Sequence, residues 1–263
     1  MSLQRTASKV VFSAADVVFP RPKGPRALIY HQVGSGLGRQ MEVTTDDFVR
    51  QLDWLVENRE IVTFDQAVVR WNEPASDRLV SLTFDDGYAD TYTTAYPRLK
   101  DRGIPFLIYL ATESIETGNP LGPPGQADPL SWDQIVDMLS SGLVTIGAHT
   151  HRHTDLREIP AGAVEEEVAT SDGLIERRLG LRPSHFAYPW GHWSARAAAV
   201  VESRYATAAI AATPRPKSPL DEHRLHRYPV QLADGFRFFS ARLRGGFRLE
   251  EWVRRRLDRY AGP

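Results

Sequence analysis

Two adjacent carboxylates follow an apolar run in the segment Thr83-Phe84-Asp85-Asp86-Gly87. Like charges side by side at the end of a buried strand are costly, because they repel one another and burial penalises both, and a bound cation relieves that cost. Gly87 allows a sharp turn after the pair. Adjacent residues of an extended chain point in different directions, so one carboxylate can bind a metal while the other faces a water molecule. The alternative is an ordinary Asp-Asp-Gly turn.

A second group of chemically capable side chains is His149-Thr150-His151-Arg152-His153, which also follows an apolar run. The spacing of four places His149 and His153 on one face of a helical turn, as a metal site requires, and it turns His151 elsewhere. The alternative is a solvated turn rich in histidine. Combined with one carboxylate from the first motif, the two imidazoles form a ligand set that leaves positions open for water and substrate. Such a set is typical of a catalytic metal site.

The composition limits the chemistry further. Cysteine is absent from the 263 residues, so disulfides, thiolate metal sites and a cysteine nucleophile are excluded. Any metal must be bound by His, Asp, Glu or water, which suits zinc, cobalt, nickel or iron. The formal net charge of −1 gives no indication of a nucleic-acid partner or of a strongly acidic substrate.

The N-terminal segment shows neither a signal-peptide pattern nor a membrane anchor. Its apolar run Val10 to Phe12 is too short for a signal peptide, and Asp16 and Pro20 interrupt any extension. No window of the chain reaches the ~18 continuous apolar residues of a membrane span. We therefore expect a soluble, cytoplasmic protein in which residues 1–25 form an N-terminal extension and residues 26–263 form one domain ending in a helix.

The elements that carry these motifs alternate between short apolar runs and helix-like patterns. This alternation predicts parallel β-α-β units, and six or seven such strands suit an α/β barrel. Because the carboxyl ends of parallel strands open on one face of a barrel, the two motifs and the strand end at Tyr30-His31 should meet there. Strands are expected at 27–31, 79–84, 104–110, 143–148, 185–188 and 205–211, helices from a cap at Thr45 and at 92–100, 131–142, 161–179 and 194–203, and a long loop at 113–129.

With these motifs the sequence resembles the polysaccharide deacetylases that carry the NodB homology domain. The family's TFDDG motif and its spaced histidine motif correspond to residues 83–87 and 149–153, and the likeness extends over about residues 26–230. The resemblance implies a distorted (β/α) barrel of seven strands and metal-dependent removal of acetyl groups from N-acetylated sugar. Further matching segments are Leu28-Ile29-Tyr30-His31, Ser131-Trp132-Asp133 and Phe186-Ala187-Tyr188-Pro189-Trp190-Gly191.

The resemblance also implies roles for individual residues. Asp85 corresponds to the family's general base, and the metal ligands correspond to Asp86, His149 and His153. Thr150 then braces the histidine loop by hydrogen bonding. The implied cofactor is one divalent metal, zinc in the first place, with cobalt, nickel or iron as alternatives.

The family's third motif and its late histidine are altered in this chain. Tyr-Pro-Trp-Gly stands where many members carry Arg-Pro-Pro-Tyr, so the residue that orients Asp85 is open, with Arg227 as a candidate. The early Tyr-His strand resembles a subgroup, including biofilm poly-N-acetylglucosamine deacetylases, in which the general acid comes from that strand. This resemblance implies His31 as the acid, with His226 as the runner-up.

Two rim residues complete the implied site. Tyr188 corresponds to the residue whose backbone N–H, together with the metal, holds the oxyanion. Trp190 either stacks on a sugar ring of the substrate or packs at the rim of the barrel. The expected partner is an N-acetylated sugar or polysaccharide.

Three functions are consistent with this reading. In the leading one, water attacks the acetamide carbonyl, Asp85 takes the proton and His31 protonates the leaving amine. A second is a hydrolase of non-sugar amides or cyclic imides on the same scaffold, because fold and metal site do not fix the substrate. The third is an inactive sugar-binding module, against which the complete ligand set and the intact Asp85 argue.

Overall fold

Seven parallel strands close into a barrel in the computed structural model, which describes residues 24–122, 127–211 and 220–246. Most of the expected N-terminal extension and the expected C-terminal helix lie outside these residues. Seven of the strands in the described residues form the barrel and three lie outside it. In chain order they are β1 (Arg26–Tyr30), β2 (Gln32–Val33), β3 (Glu42–Val43), β4 (Glu60–Ile61), β5 (Leu79–Phe84), β6 (Phe106–Leu110), β7 (Val144–Ala148), β8 (His185–Ala187), β9 (Thr207–Ile210) and β10 (Leu225–Pro229).

The ring runs β1-β10-β9-β8-β7-β6-β5 and closes where β5 pairs with β1. The two-residue strand β4 pairs with the start of β5 outside this ring, and β2 and β3 form a separate small sheet. The expected (β/α) barrel of about seven parallel strands is thus confirmed. Strand β10 is the ring member that the sequence patterns did not predict.

Helices cover the outside of the ring. The predicted capping box is present, since the Ser131 hydroxyl accepts from the Gln134 N–H at 3.2 Å and the Gln134 side chain accepts from the Ser131 N–H at 2.9 Å. The cap of the first helix is Thr44 rather than the expected Thr45. The helices are α1 (Thr45–Asn58), α2 (Phe64–Val69), α3 (Tyr96–Lys100), α4 (Thr112–Thr117), α5 (Trp132–Ser140), α6 (Ala161–Leu179), α7 (Ala195–Glu202) and α8 (Gly235–Leu243), with single turns at Ser76–Arg78, Thr91–Ala95 and Pro189–Gly191.

The segment expected as a long loop at 113–129 begins inside helix α4, so that expectation is wrong at its start. The helix ends at Gly118, which has a φ of 72° and whose N–H donates to the Ser114 carbonyl. A left-handed glycine is a common helix terminator. The polar composition of the segment concealed this short helix.

Alternate residues of the ring strands face two different apolar clusters. The inner cluster fills the barrel and contains Ala27, Leu107, Tyr109, Ala187, Ala209 and Leu225, with Phe64 beside them. The outer cluster lies between the strands and the helices, where the rings of Tyr30 and Phe84 stack with centroids 5.3 Å apart. Because side chains alternate along a strand, this pattern fixes which residues can reach the barrel interior.

Within the described residues, no helix is long and apolar enough to span a membrane.

Candidate active site

Arg227 and Asp85 form a buried ion pair inside the barrel. The guanidinium donates from Nη1 to Asp85 Oδ1 at 2.6 Å and from Nη2 to Oδ2 at 2.8 Å. Nη1 also donates to the Thr83 hydroxyl at 2.9 Å, and that hydroxyl donates to the Leu28 carbonyl at 2.8 Å. Because Arg227 is only 1% exposed and this two-point contact is geometrically specific, the carboxylate keeps one orientation. Arg227 is therefore confirmed as the residue that orients Asp85.

The side chains of Asp86, His149 and His153 converge at the carboxyl end of the barrel. Asp86 Oδ1 lies 3.4 Å from His149 Nε2 and 3.3 Å from His153 Nε2, and the three potential ligand atoms lie within 4.8 Å of one another. Nδ1 of His149 lies 2.7 Å from the Ala187 carbonyl oxygen. Donation from Nδ1 leaves a lone pair on Nε2, the state in which imidazole binds a metal.

A divalent ion fits this donor set. Asp86 Oδ1 is buried, and within the described part of the chain it has no hydrogen-bond partner. Such an oxygen is costly unless a cation completes its environment. One carboxylate and two imidazoles are the ligands of catalytic zinc and of similar transition metals.

Left-handed backbone conformations aim the ligands. Asp86 has a φ of 73°, Thr150 a φ of 65° and His153 a φ of 56°, a region that residues other than glycine rarely adopt. The expected helical turn at 149–153 is therefore wrong, because two of its residues are left-handed. The imidazoles converge because the loop folds back on itself. Asp85 and Asp86 likewise diverge through the left-handed Asp86 rather than through an extended chain.

Glu167 of α6, rather than Thr150, braces the histidine loop. Its Oε2 accepts from the backbone N–H of Arg152 at 2.8 Å and of His151 at 3.2 Å. The Thr150 hydroxyl is buried and has no hydrogen-bond partner among the described residues, so the role expected for it is wrong. His151 turns away from the ligand pair, as expected, and its Nδ1 lies 3.1 Å from the Thr112 hydroxyl.

His31 lies in the same pocket, whereas His226 faces elsewhere. The His31 imidazole is close enough to help lower the pKa of Asp85, Asp86 and His153. His226 stands between Leu225, which belongs to the inner cluster, and Arg227, which reaches Asp85. Strand alternation therefore turns His226 toward the outside of the barrel. The geometry favours His31 over His226 as a proton donor to a substrate beside Asp86.

The N–H of Tyr188 is already used, so the oxyanion role expected for it is wrong. It donates to the Ala209 carbonyl at 3.0 Å, and the Tyr188 ring lies in the outer cluster. Pro189 has no N–H. The next one belongs to Trp190, which has a φ of 61° and no backbone acceptor within the described residues. Trp190 is 64% exposed, and its ring centroid lies 5.2 Å from that of His153.

A hydrogen-bonded link between two rim loops escaped sequence reasoning. Asp155, which follows the histidine motif, has its Oδ2 2.8 Å from His192 Nδ1 and 2.7 Å from Arg157 Nη2. His192 follows the turn that carries Trp190. The link therefore ties the loop of His153 to the turn of Trp190. The two partners are 37 residues apart in the chain, and no local pattern connects them.

The electrostatics of the pocket separate the roles of its groups. Burial alone would raise the pKa of Asp85, but the charge of Arg227 and its hydrogen bonds hold that pKa below its usual range. Asp85 is therefore an ionised carboxylate at neutral pH. Burial lowers the pKa of His153 to about 4, although Asp86 opposes the shift. A neutral imidazole at His153 suits metal binding.

Asp90, which follows the first motif in the chain, is a buried acid whose surroundings differ from those of Asp85. Burial raises its pKa to about 7, the Val33 N–H opposes the shift and the Glu42 carboxylate adds to it. No side chain within the described residues donates a hydrogen bond to either carboxylate oxygen of Asp90. Asp90 thus lacks the cationic partner that Asp85 has.

Sequence comparisons relate this chain to a known family. The family model described as polysaccharide deacetylase matches residues 72–208. YxkH of Bacillus subtilis (strain 168), named as a candidate polysaccharide deacetylase, is 28% identical over 170 residues, which are 64% of this chain and 57% of YxkH. The match thus spans little more than half the length of that relative.

Structural comparisons agree with the barrel. IcaB from Ammonifex degensii has a TM-score of 0.71 at 26% identity, over 85% of this chain and 98% of that one. The Streptococcus pyogenes deacetylase PplD, solved in complex with acetate, has a TM-score of 0.70 at 21% identity, over 84% of this chain and 98% of that one. At this identity the second likeness concerns the fold alone.

Proposed function

Because this chain belongs to the polysaccharide deacetylase family, we propose that it is a metal-dependent hydrolase that removes acetyl groups from N-acetylated sugar units. The observation that carries the proposal is the convergence of Asp86, His149 and His153 beside a carboxylate, Asp85, that Arg227 keeps ionised and oriented. A structural role alone would not require an open ligand set next to an oriented acid.

In this proposal, Asp86, His149 and His153 hold one divalent ion, of which zinc is the first candidate. When bound, such an ion supplies a Lewis acid that polarises a carbonyl and makes water more acidic. The hydrogen bond between His149 and the Ala187 carbonyl fixes the ring for binding. The left-handed backbone at Thr150 and His153 turns the His153 imidazole toward Asp86.

Asp85 accepts the proton of the attacking water. Its depressed pKa makes it a weak base in isolation, but it is ionised and fixed at neutral pH, so no energy is spent on deprotonating or turning it. Arg227 donates to both of its oxygens. The proton is therefore received within an ion pair that keeps the product acid close to the reacting atoms.

His31 donates a proton to the leaving nitrogen. Its Nδ1 is buried without a hydrogen-bond partner in the described ranges, so that atom is not committed to a structural contact. An imidazole is the side chain best suited to hold and release a proton near neutral pH. The N–H of Trp190 is the candidate donor to the developing oxyanion, in place of that of Tyr188.

The test is acetate release from a panel of N-acetylglucosamine oligomers by the protein loaded with zinc, cobalt, nickel or iron, with metal analysis of each sample. We expect release that requires metal, and we expect the His149→Ala, His153→Ala double variant to lose both metal and turnover. Undiminished metal content in that variant would remove the ligand assignment. Turnover of simple amides or cyclic imides, but of no sugar, would identify a different substrate class. Saturable binding of the oligomers without turnover would identify a binding module.

A further inference from the structure

Four arginines meet at the amino end of the barrel, opposite the site described above. Arg26 opens β1, Arg59 directly precedes β4, and Arg78 directly precedes β5. These strands are neighbours, because β5 pairs with both β1 and β4. Arg244 follows α8, which packs against α1. A cleft of about 450 Å³ is lined by the four arginines with Asn58, Asp77, Leu243 and Gly245.

The cleft concentrates positive charge. Asp77 is the one carboxylate among its described lining residues. Burial lowers the pKa of Arg59, and the like charges of Arg26 and Arg78 lower it further, with Asp77 opposing them and Arg244 adding to them. Like charges this close raise the free energy of the folded state unless an anion neutralises them.

Neutral groups, not carboxylates, fix two of these guanidinium groups in place. Arg59 donates to the carbonyls of Asn58 at 2.7 Å and Leu243 at 2.5 Å. The guanidinium carbons of Arg59 and Arg244 lie 4.9 and 5.4 Å from the centroid of the Trp54 ring. Carbonyl and ring contacts order a guanidinium without cancelling its charge.

Capping of helix ends explains part of this arrangement. The Arg59 guanidinium binds carbonyls at the ends of α1 and α8, where a cation is favourable. It does not explain Arg78, which is exposed beside the same cleft and makes no ion pair within the described part of the chain. It also leaves Arg59 Nε buried without a hydrogen-bond partner there. The buried Arg59 Nε therefore remains to be satisfied, and capping assigns no role to the charge of Arg78.

We propose that this cleft binds an oxyanion of the phosphate type. Guanidinium groups match phosphate oxygens with paired, charge-assisted hydrogen bonds, and several of them around one concavity bind a multiply charged anion better than a monovalent one. The volume admits a phosphate or a pyrophosphate. The same chemistry could be presented by a free phosphate or by the phosphate of a lipid headgroup, and the test separates these sources.

The test titrates inorganic phosphate into the full-length protein by calorimetry, at an ionic strength kept constant with sodium chloride. The variant is Arg78→Gln, Arg244→Gln, which changes two exposed residues of the cleft. The matched control is Arg50→Gln, Arg237→Gln, which removes the same charge from exposed positions on α1 and α8. Circular dichroism verifies the fold of both variants, and acetate release verifies that the cleft variant keeps an intact site at the opposite end of the barrel.

We expect saturable phosphate binding that the cleft variant weakens about tenfold or more and the control leaves unchanged, since the cleft variant removes two charged hydrogen-bond donors. The variant Arg78→Lys, Arg244→Lys should weaken binding less, because it keeps both charges. If phosphate gives no heat, flotation with phosphatidylglycerol vesicles, and not with phosphatidylcholine vesicles, that depends on Arg78 and Arg244 would assign the anion to a lipid headgroup. No binding in either arm, or equal weakening in variant and control, would overturn the proposal.

Discussion

The two ends of the barrel arrange charged side chains in opposite ways. At the carboxyl end, Asp85 is held by Arg227 with two hydrogen bonds, and Asp86 faces two imidazoles. At the amino end, four arginines line a cleft in which Asp77 is the one carboxylate among the described lining residues. The difference shows that the two ends meet different requirements. The carboxyl end holds each of these two acids against a basic group, whereas the cleft at the amino end keeps an excess of positive charge among its described lining residues.

Loss of the Asp85 carboxylate should have the largest effect on activity. Asp85→Asn keeps the size of the side chain and an acceptor for Arg227, but it cannot take a proton. General-base catalysis is worth ~10²–10⁴-fold, so we expect kcat to fall by that factor while metal content is unchanged. Steady-state kinetics with metal analysis would test this, with Asp86→Asn as the comparison that should lose metal. A kcat near that of the wild type would place the base elsewhere.

Removing one arginine from each end of the barrel should change the free energy of unfolding by different amounts. Arg227→Gln leaves a buried carboxylate without its counter-charge, and breaking such a pair costs about 3–5 kcal/mol. Arg78→Gln relieves repulsion at an exposed position, so in phosphate-free buffer it should leave stability unchanged or slightly higher. Urea unfolding of both variants measures the contrast. Equal destabilisation of the two variants would show that the Arg227–Asp85 ion pair contributes no more to stability than the exposed Arg78.

Asp90, unlike Asp85, has no cationic partner among the described residues, and this predicts that the stability of the protein depends on pH. Its folded pKa of about 7 lies above that of an unfolded carboxyl. Ionisation therefore destabilises the protein progressively as the pH rises from about 4 to about 7, by at most roughly 4 kcal/mol. Asp90→Asn should gain stability relative to the wild type at pH 8 compared with pH 4.5. The exposed Asp46→Asn should show no such pH-dependent difference in thermal unfolding.

The link between Asp155 and His192 should have the smallest effect. Asp155→Asn weakens the contact that holds the Trp190 turn against the His153 loop. Misplacement of a group that contacts substrate predicts a loss of kcat/KM of about tenfold or less, mainly through KM, with metal content unchanged. Asp137→Asn, which weakens the surface hydrogen bond from the Tyr92 hydroxyl, is the control. An equal loss in both variants would assign Asp155 a merely structural role.

Sequence patterns predicted the parts of this molecule that depend on neighbouring residues. The apolar runs located six of the seven ring strands, and their polar ends located Asp85, Asp86 and the histidine pair. Strand β10 was missed because its inward face carries Arg227 instead of an apolar side chain. That exception to the apolar pattern supplies the buried cation that pairs with Asp85.

The remaining errors depend on backbone partners, which residue types do not reveal. Tyr188 and Trp190 are two positions apart, and only the ladder bond to Ala209 shows which N–H is occupied. The left-handed conformation of Thr150 and His153 is similarly invisible in the motif. The arginine cleft could not be predicted, because its members come from four separate segments that meet only when the barrel closes.

Ring closure has a consequence for synthesis. Strand β1 pairs with β5 on one side and with β10 on the other. One edge of the first ring strand to be synthesised therefore stays unpaired until the last ring strand has been made. Until residue 227 has emerged from the ribosome, Asp85 has no arginine partner and the edges of β1 and β9 are unpaired. Contacts between distant parts of a chain form slowly, and open strand edges invite association with other chains. The nascent protein is therefore most vulnerable to aggregation just before its final strand arrives, and shortening the chain ahead of Pro229 would remove both the ring closure and the charge that orients the base.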